Sequence, residues 1–151
     1  MAEPIRFYST GDEYGCFSNF SAHPVFYDGQ TWPTSEHCFQ AQKFLDPKDR
    51  QAICKANSPM IAARLGRDRK RPLRRDWESV KIGLMRAIVL AKFSQHADLR
   101  ATLLATGDAK LIEHTDRDAF WGDGGNGSGK NWLGRILMEV REQLREDETK
   151  A

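Results

Sequence analysis

Three helix entrances lie between residues 33 and 77: Pro33-Thr34-Ser35, Ser58-Pro59 and Asp76-Trp77. Thr, Ser and Asp there can accept a hydrogen bond from an orphaned amide of the first turn, and proline at the first helical position has no amide to lose. The spacing predicts helices from Ser35 to about Leu45, from Lys48 to Ala56, from Ser58-Pro59 to near Leu65 with Gly66 as the stop, and from Trp77 to Ser94. Val80, Leu84, Ala87, Ile88 and Ala91 form the expected apolar stripe of the last of these. Further helices are expected over Ala97–Ala105 and Asn131–Leu144, with residues 145–151 as a frayed tail. Strand signals are brief by comparison. They cover Ile5–Tyr8, Lys110–Glu113 and a hairpin, Val25–Trp32, turned at Asp28-Gly29. The expected class is α+β, predominantly helical with a small sheet.

A chain of 151 residues favours a single domain, here 1–151, large enough to bury a sizeable core. No apolar run reaches the length of a membrane span, and Met1–Arg6 has no signal-peptide core, so neither membrane association nor export is expected. Cys16, Cys38 and Cys54 are odd in number and fit no zinc spacing, which points to reduced thiols and a cytoplasmic setting. Cys38 beside His37 is read as packing, since neighbours on a helix point about 100° apart. His23, His37, His96 and His114 are scattered without metal-site spacing, so no metal is expected. The net charge of +2 argues against general nucleic-acid binding, yet it conceals seven basic residues between Arg64 and Arg75.

Three segments could carry chemistry. In Trp32–Phe44, Glu36, Gln40 and Lys43 share one helical face because offsets of four and seven return to nearly the same angle. Two readings are open: a solvated polar row, or a polar site in the apolar surroundings of Trp32, Phe39 and Phe44, where a carboxylate's pKa would rise. The second segment, Asp118–Asn131, holds five glycines among fourteen residues and leads into a helix. Such a loop is either idle surface or a place where the backbone approaches a ligand, and Phe120 and Trp121 favour the latter. It is not a P-loop, because Asn131 follows Lys130 and no hydrophobic strand precedes it. The third is the basic segment, whose arginine forks suit phosphate unless they are merely exposed charge. Trp77 is either a platform for a flat heterocycle or a core anchor of its helix.

Phe17-Ser18-Asn19-Phe20, the run Trp32-Pro33-Thr34-Ser35-Glu36-His37 through Gln40-Ala41-Gln42-Lys43-Phe44, and Trp121-Gly122-Asp123-Gly124-Gly125 with Gly129-Lys130-Asn131 and Leu133-Gly134 resemble the YbiA-like, or NADAR, family. The resemblance extends from Ile5 to about Leu144, and Ser58-Pro59-Met60 and the Arg74–Ser79 stretch fit it too. It implies an N-glycosidase that cleaves phosphoribosylamino-pyrimidine intermediates of riboflavin biosynthesis and releases ribose 5-phosphate. The alternatives it implies are an ADP-ribosyl-guanine glycohydrolase or a non-catalytic ADP-ribose or nucleotide sensor. A nucleic-acid module built on the basic segment ranks last, and nucleic acid is expected as a partner only if it is an ADP-ribosylated substrate.

The family's functional positions fall on Glu36, Trp77 and Asp118, to which Lys43 and the Asp123 loop are added from their position. Glu36 is expected to stabilise an oxocarbenium-like sugar, and Asp118 to hold ribose hydroxyls or share the base work. Lys43 is expected to act electrostatically or as a Schiff-base nucleophile. Substrate contacts are expected from Trp77, Asn19, Trp121, Asp123, Gly124, Lys130, Arg64 and Arg71. The partner is a small phosphoribosyl or ADP-ribosyl compound, and neither metal nor organic cofactor is required.

Overall fold

A computed structural model describes residues 3–150. They form two compact units, residues 19–92 and residues 3–18 with 93–150. The architecture is α+β and mainly helical, with two small two-stranded sheets. No helix among the described residues is long and apolar enough to cross a membrane. Cys38 and Cys54 are unbridged thiols.

The first unit starts with the antiparallel hairpin β2 (Val25–Tyr27) and β3 (Gln30–Trp32). Asp28 and Gly29 both have positive φ, 52° and 82°, as a two-residue turn matched to strand twist requires. Helix α1 (Ser35–Ala41) follows, with the Thr34 side chain accepting from the His37 amide. It ends sooner than its sequence pattern suggests, in turns over residues 42–43. Helices α2 (Pro47–Cys54) and α3 (Pro59–Arg67) are capped by Asp46 and Ser58. Gly66, expected to stop α3, lies inside it, because its bare Cα makes room for the Gln40 side chain of α1.

Helix α4 (Trp77–Gln95) contributes residues 77–92 to this unit. Asp76 precedes it; its carbonyl accepts from the Ser79 and Val80 amides while its carboxylate takes the Arg74 fork. Of the expected stripe only Ile88 is fully buried, and the buried edge runs through Trp77, Met85, Ile88, Val89 and Lys92. A lysine can occupy that edge because its Nζ donates to Ser21 Oγ at 2.9 Å.

In the second unit, β1 (Ile5–Phe7) pairs in parallel with β4 (Leu111–Glu113). Helices α5 (Ala97–Ala105) and α6 (Trp132–Lys150) complete it. Phe17 meets Phe7 edge-on at 5.7 Å and Phe93 at 5.9 Å. Residues 145–150, expected to fray, continue α6: Arg145 bonds Asp108, Glu142 and the Gly107 carbonyl, which holds the last turns to the end of α5.

Asn131, expected to open α6, instead has φ 53° and stands before it. Its Oδ1 accepts from the Glu113 amide and its Nδ2 donates to the Leu111 carbonyl, both at 2.9 Å. The side-chain amide thus takes the place of a strand neighbour along β4. One turn on, Gly134 lies so close to the Leu111 carbonyl that a Cβ there would collide with it. Asn131→Ala removes both bonds, one to a buried and one to a half-buried backbone group, at roughly 1–3 kcal/mol each. In a chain of this size that lowers Tm by roughly 5–15 °C. Scanning calorimetry checks this, and Asn131→Gly, which accepts the positive φ but loses the same bonds, should fall between Ala and wild type.

Candidate active site

The placement of α1 begins at Asn19. Its carbonyl accepts from the Glu36 amide at 3.0 Å, its Oδ1 accepts from Ser35 Oγ at 3.0 Å, and its Nδ2 donates to Met85 Sδ at 3.4 Å. Asn19, expected to contact substrate, here ties the first turn of α1 to the Met85 side of α4. His37 is pinned on the same turn. Its Nε2 is 3.0 Å from the Ala56 carbonyl, which can only accept, so the proton sits there and Nδ1 takes the Thr34 hydroxyl at 2.8 Å. That is a satisfied core histidine. Burial also pushes the neighbouring Cys38 thiol up, which makes it a packing residue rather than a nucleophile.

Glu36, Gln40 and Lys43 are each at least nine-tenths buried. The polar row is therefore no solvated face. Gln40 Nε2 donates to Glu36 Oε2 at 2.6 Å. The Gln40 Oε1 lies against Gly66 with no hydrogen-bond partner, so the amide is oriented with its donor end toward the carboxylate. Lys43 Nζ sits 3.5 Å from the Gly66 carbonyl and 5.8 Å from the centre of the Trp77 ring. Trp77 packs on Phe39 at 5.1 Å, so it is a core residue and a ring beside the lysine at once.

Burial lowers Lys43 most, and the Arg69, Arg67 and Lys81 charges lower it further. Glu36 pulls the other way, and the ammonium ends at about 8. Lys43 is thus partly neutral near physiological pH.

Arg69 shares the Gly66 carbonyl with Lys43, donating from Nη2 at 3.2 Å. Nothing in the order of residues sets Arg69 apart from the six other cations between Arg64 and Arg75. The two arginines singled out there stand differently. Arg71 is ion-paired to Asp49 at 2.7 Å, and Arg64 is exposed on α3 with Nη2 3.7 Å from Met60 Sδ.

Asp118, Trp121, Asp123, Gly124 and Lys130 belong to the other unit. Asp118 Oδ1 accepts from the Phe120 and Trp121 amides at 2.9 and 2.8 Å, closing a tight turn. The Gly124 amide, at φ 73°, donates to the Asp118 carbonyl. Asp123 is buried, which raises its carboxyl, but His114 and the Gly125 and Thr115 amides outweigh that and hold it below the usual carboxylate range. Lys130 lies 5.6 Å from the Phe120 ring, which meets Trp121 edge-on at 4.8 Å. The glycine loop is therefore held by its own hydrogen bonds. Among the described residues, no group of three or more His, Cys, Asp or Glu side chains is placed to hold a metal ion.

Comparisons with known proteins agree on one family. The model of the NADAR domain matches residues 6–145. N-glycosidase YbiA of Escherichia coli (strain K12) is 66% identical over 140 residues, covering 93% of this chain and 88% of that protein. N-glycosidase Npun_R5314 of Nostoc punctiforme is 50% identical over 144 residues, covering 93% of this chain and 92% of that protein. A Vibrio vulnificus protein named riboflavin biosynthesis protein VVA0006 is 46% identical over 146 residues, 97% of this chain but 40% of its own length. The solution structure of E. coli YbiA superposes with a TM-score of 0.91 at 62% identity, covering 99% of this chain and 89% of that one. The chain belongs to the NADAR family.

Proposed function

We propose that this chain is an N-glycosidase that hydrolyses the C1–N bond of phosphoribosylamino-pyrimidines and releases ribose 5-phosphate. The observation that carries the reading is the buried polar row on α1 and the turn after it: a carboxylate fixed by Gln40, and a lysine held at about 8 beside an aromatic ring. The names of its relatives, N-glycosidases and riboflavin biosynthesis proteins, support both the reaction class and the substrate class.

As the C1–N bond breaks, positive charge builds on the ribosyl ring, and the Glu36 carboxylate stabilises it in a site of low dielectric. Water adds to C1 and gives its proton to Glu36, which passes it to the departing amine, so one water is consumed for each bond cut. Trp77 supplies a flat apolar surface for the heterocycle. Neutral Lys43 condenses with the C1 aldehyde of the opened sugar, forming an imine and releasing water; hydrolysis of the imine returns the amine and the sugar.

Glu36→Gln should fold normally and lose at least about two orders of magnitude in turnover, the typical cost of removing an acid–base group. Release of free ribose 5-phosphate from a phosphoribosylamino-pyrimidine is the readout, and near-wild-type turnover removes Glu36 from the chemistry. Borohydride added during turnover should trap the sugar on Lys43, visible by mass spectrometry, and Lys43→Arg should abolish the adduct. Tight binding without release of sugar would instead favour a sensor.

For Asp118, whose proposed role is to hold ribose hydroxyls, Asn is the informative change. It keeps the acceptor for both turn amides but removes the charge. The expected result is at least a tenfold loss in kcat/KM, about 1.4 kcal/mol, with Tm little changed.

The lysine also sets a pH dependence of stability. Unfolded, it titrates near 10.5; folded, at about 8. Below 8 both states carry the proton and the fold bears the full cost of the buried ammonium. Between 8 and 10.5 the folded side chain is already neutral, so stability rises with pH. Lys43→Met should therefore raise Tm at pH 7, and the gap to wild type should narrow as pH approaches 10.5.

A further inference from the structure

In the unit holding the glycine loop, strand alternation sorts the side chains of β1 and β4 to two faces. Phe7 and Leu111 are buried, whereas Lys110, Ile112 and His114 recur at every second position, with Arg6 paired to Ile112. On α6, Arg135 and Met138 follow Asn131 at offsets of four and seven and so share one stripe. These two surfaces and the loop from Asp123 to Lys130 wall an open cleft of about 580 Å³. That lies within the roughly 300–1,000 Å³ usual for small-molecule sites.

Its charge is one-sided. Arg6, Lys110, Lys130 and Arg135 line it, and Asp123 is the single acidic lining residue. The Asp123 carboxylate is already occupied by His114 and two backbone amides. Several arginines elsewhere have carboxylate partners, as in Arg50–Asp28, Arg71–Asp49 and Arg74–Asp76. Among the described residues none of the four cleft cations is ion-paired, and the contacts of two are to rings: Lys130 to Phe120, and Arg135 to Trp132 at 5.1 Å. Four like charges around one concavity repel each other, and a multivalent anion removes that cost. Gly125 and Gly127, at φ 88° and 84°, bring bare backbone to the rim, so a ligand can approach without meeting a side chain.

We propose that this cleft is a binding site for a phosphorylated small molecule carrying at least two negative charges, with Arg6, Lys110 and Arg135 as its principal cationic contacts. Ile112 and Met138 add an apolar floor that suits an organic body beside the phosphate. The site is assigned on residues of this unit alone and does not rest on the glycosidase reading.

Inorganic pyrophosphate is the probe, titrated by calorimetry into the intact chain at about 0.15 M salt, where screening of exposed charges is already substantial. Saturable binding of one pyrophosphate per chain is expected. It should weaken at least tenfold in the Lys110→Ala/Arg135→Ala double variant and persist unchanged in Glu36→Gln. Arg6→Ala serves as an independent single change should the double variant not fold. Three results overturn the proposal: no saturable binding at millimolar pyrophosphate, affinity untouched by the cleft variants, or loss of affinity in Glu36→Gln. A fourth is steeply salt-dependent binding of a duplex oligonucleotide that pyrophosphate does not displace, which would make the cleft a nucleic-acid surface. None of these outcomes bears on whether Glu36→Gln stops turnover.

Discussion

The close approach of α1 and α3 at Gly66 underlies the arrangement of the α1 site. With no Cβ there, the Gln40 amide can lie against α3 and turn its donor end to Glu36. The Gly66 carbonyl is also what Lys43 and Arg69 share. One residue thus fixes the orientation of the carboxylate's partner and anchors two cations. Any side chain at position 66 would displace Gln40 and cost the buried carboxylate the donor that Gln40 supplies.

The proposed mechanism places two demands on this site. A glycosidic bond needs negative charge near C1, which calls for an ionised carboxylate out of water. A nucleophilic lysine needs to be neutral, which calls for burial among like charges. In the proposed mechanism Glu36 on α1 and Lys43 in the turn that follows it answer one demand each, with separate local support. Gln40 stabilises the carboxylate, and Arg69, Arg67 and Lys81 disfavour the ammonium.

Much of this was legible in the sequence where the signal was local. Asp28-Gly29 specified its turn by backbone sterics, Thr34 and Ser58 opened their helices, and the face shared by Glu36 and Gln40 followed from helical geometry. Readings failed where a distant partner decides. Gly66 looks like a helix stop unless the Gln40 side chain is known to press on it. Asn131 looks like a first helical residue, yet its amide belongs to β4. Arg71 looks like a phosphate ligand until Asp49 is placed beside it, while Arg69 gains its meaning from a carbonyl shared with Lys43. The basic segment could not be sorted by composition, because its members differ only in what they meet in space.

The clasp made by Asn131 has a consequence for how this protein can vary. It bonds the backbone at both Leu111 and Glu113, so the chain leaving β4 and the chain entering α6 are held together at the root of the intervening loop. The entropic cost of closing a segment whose ends are already joined grows slowly, about 0.6 kcal/mol for each doubling of its length. Latitude to lengthen or shorten the loop therefore lies at its exposed tip, residues 125–128, since the Phe120, Trp121 and Gly122 carbonyls accept from the Trp132, Leu133 and Asn131 amides and belong with the anchors.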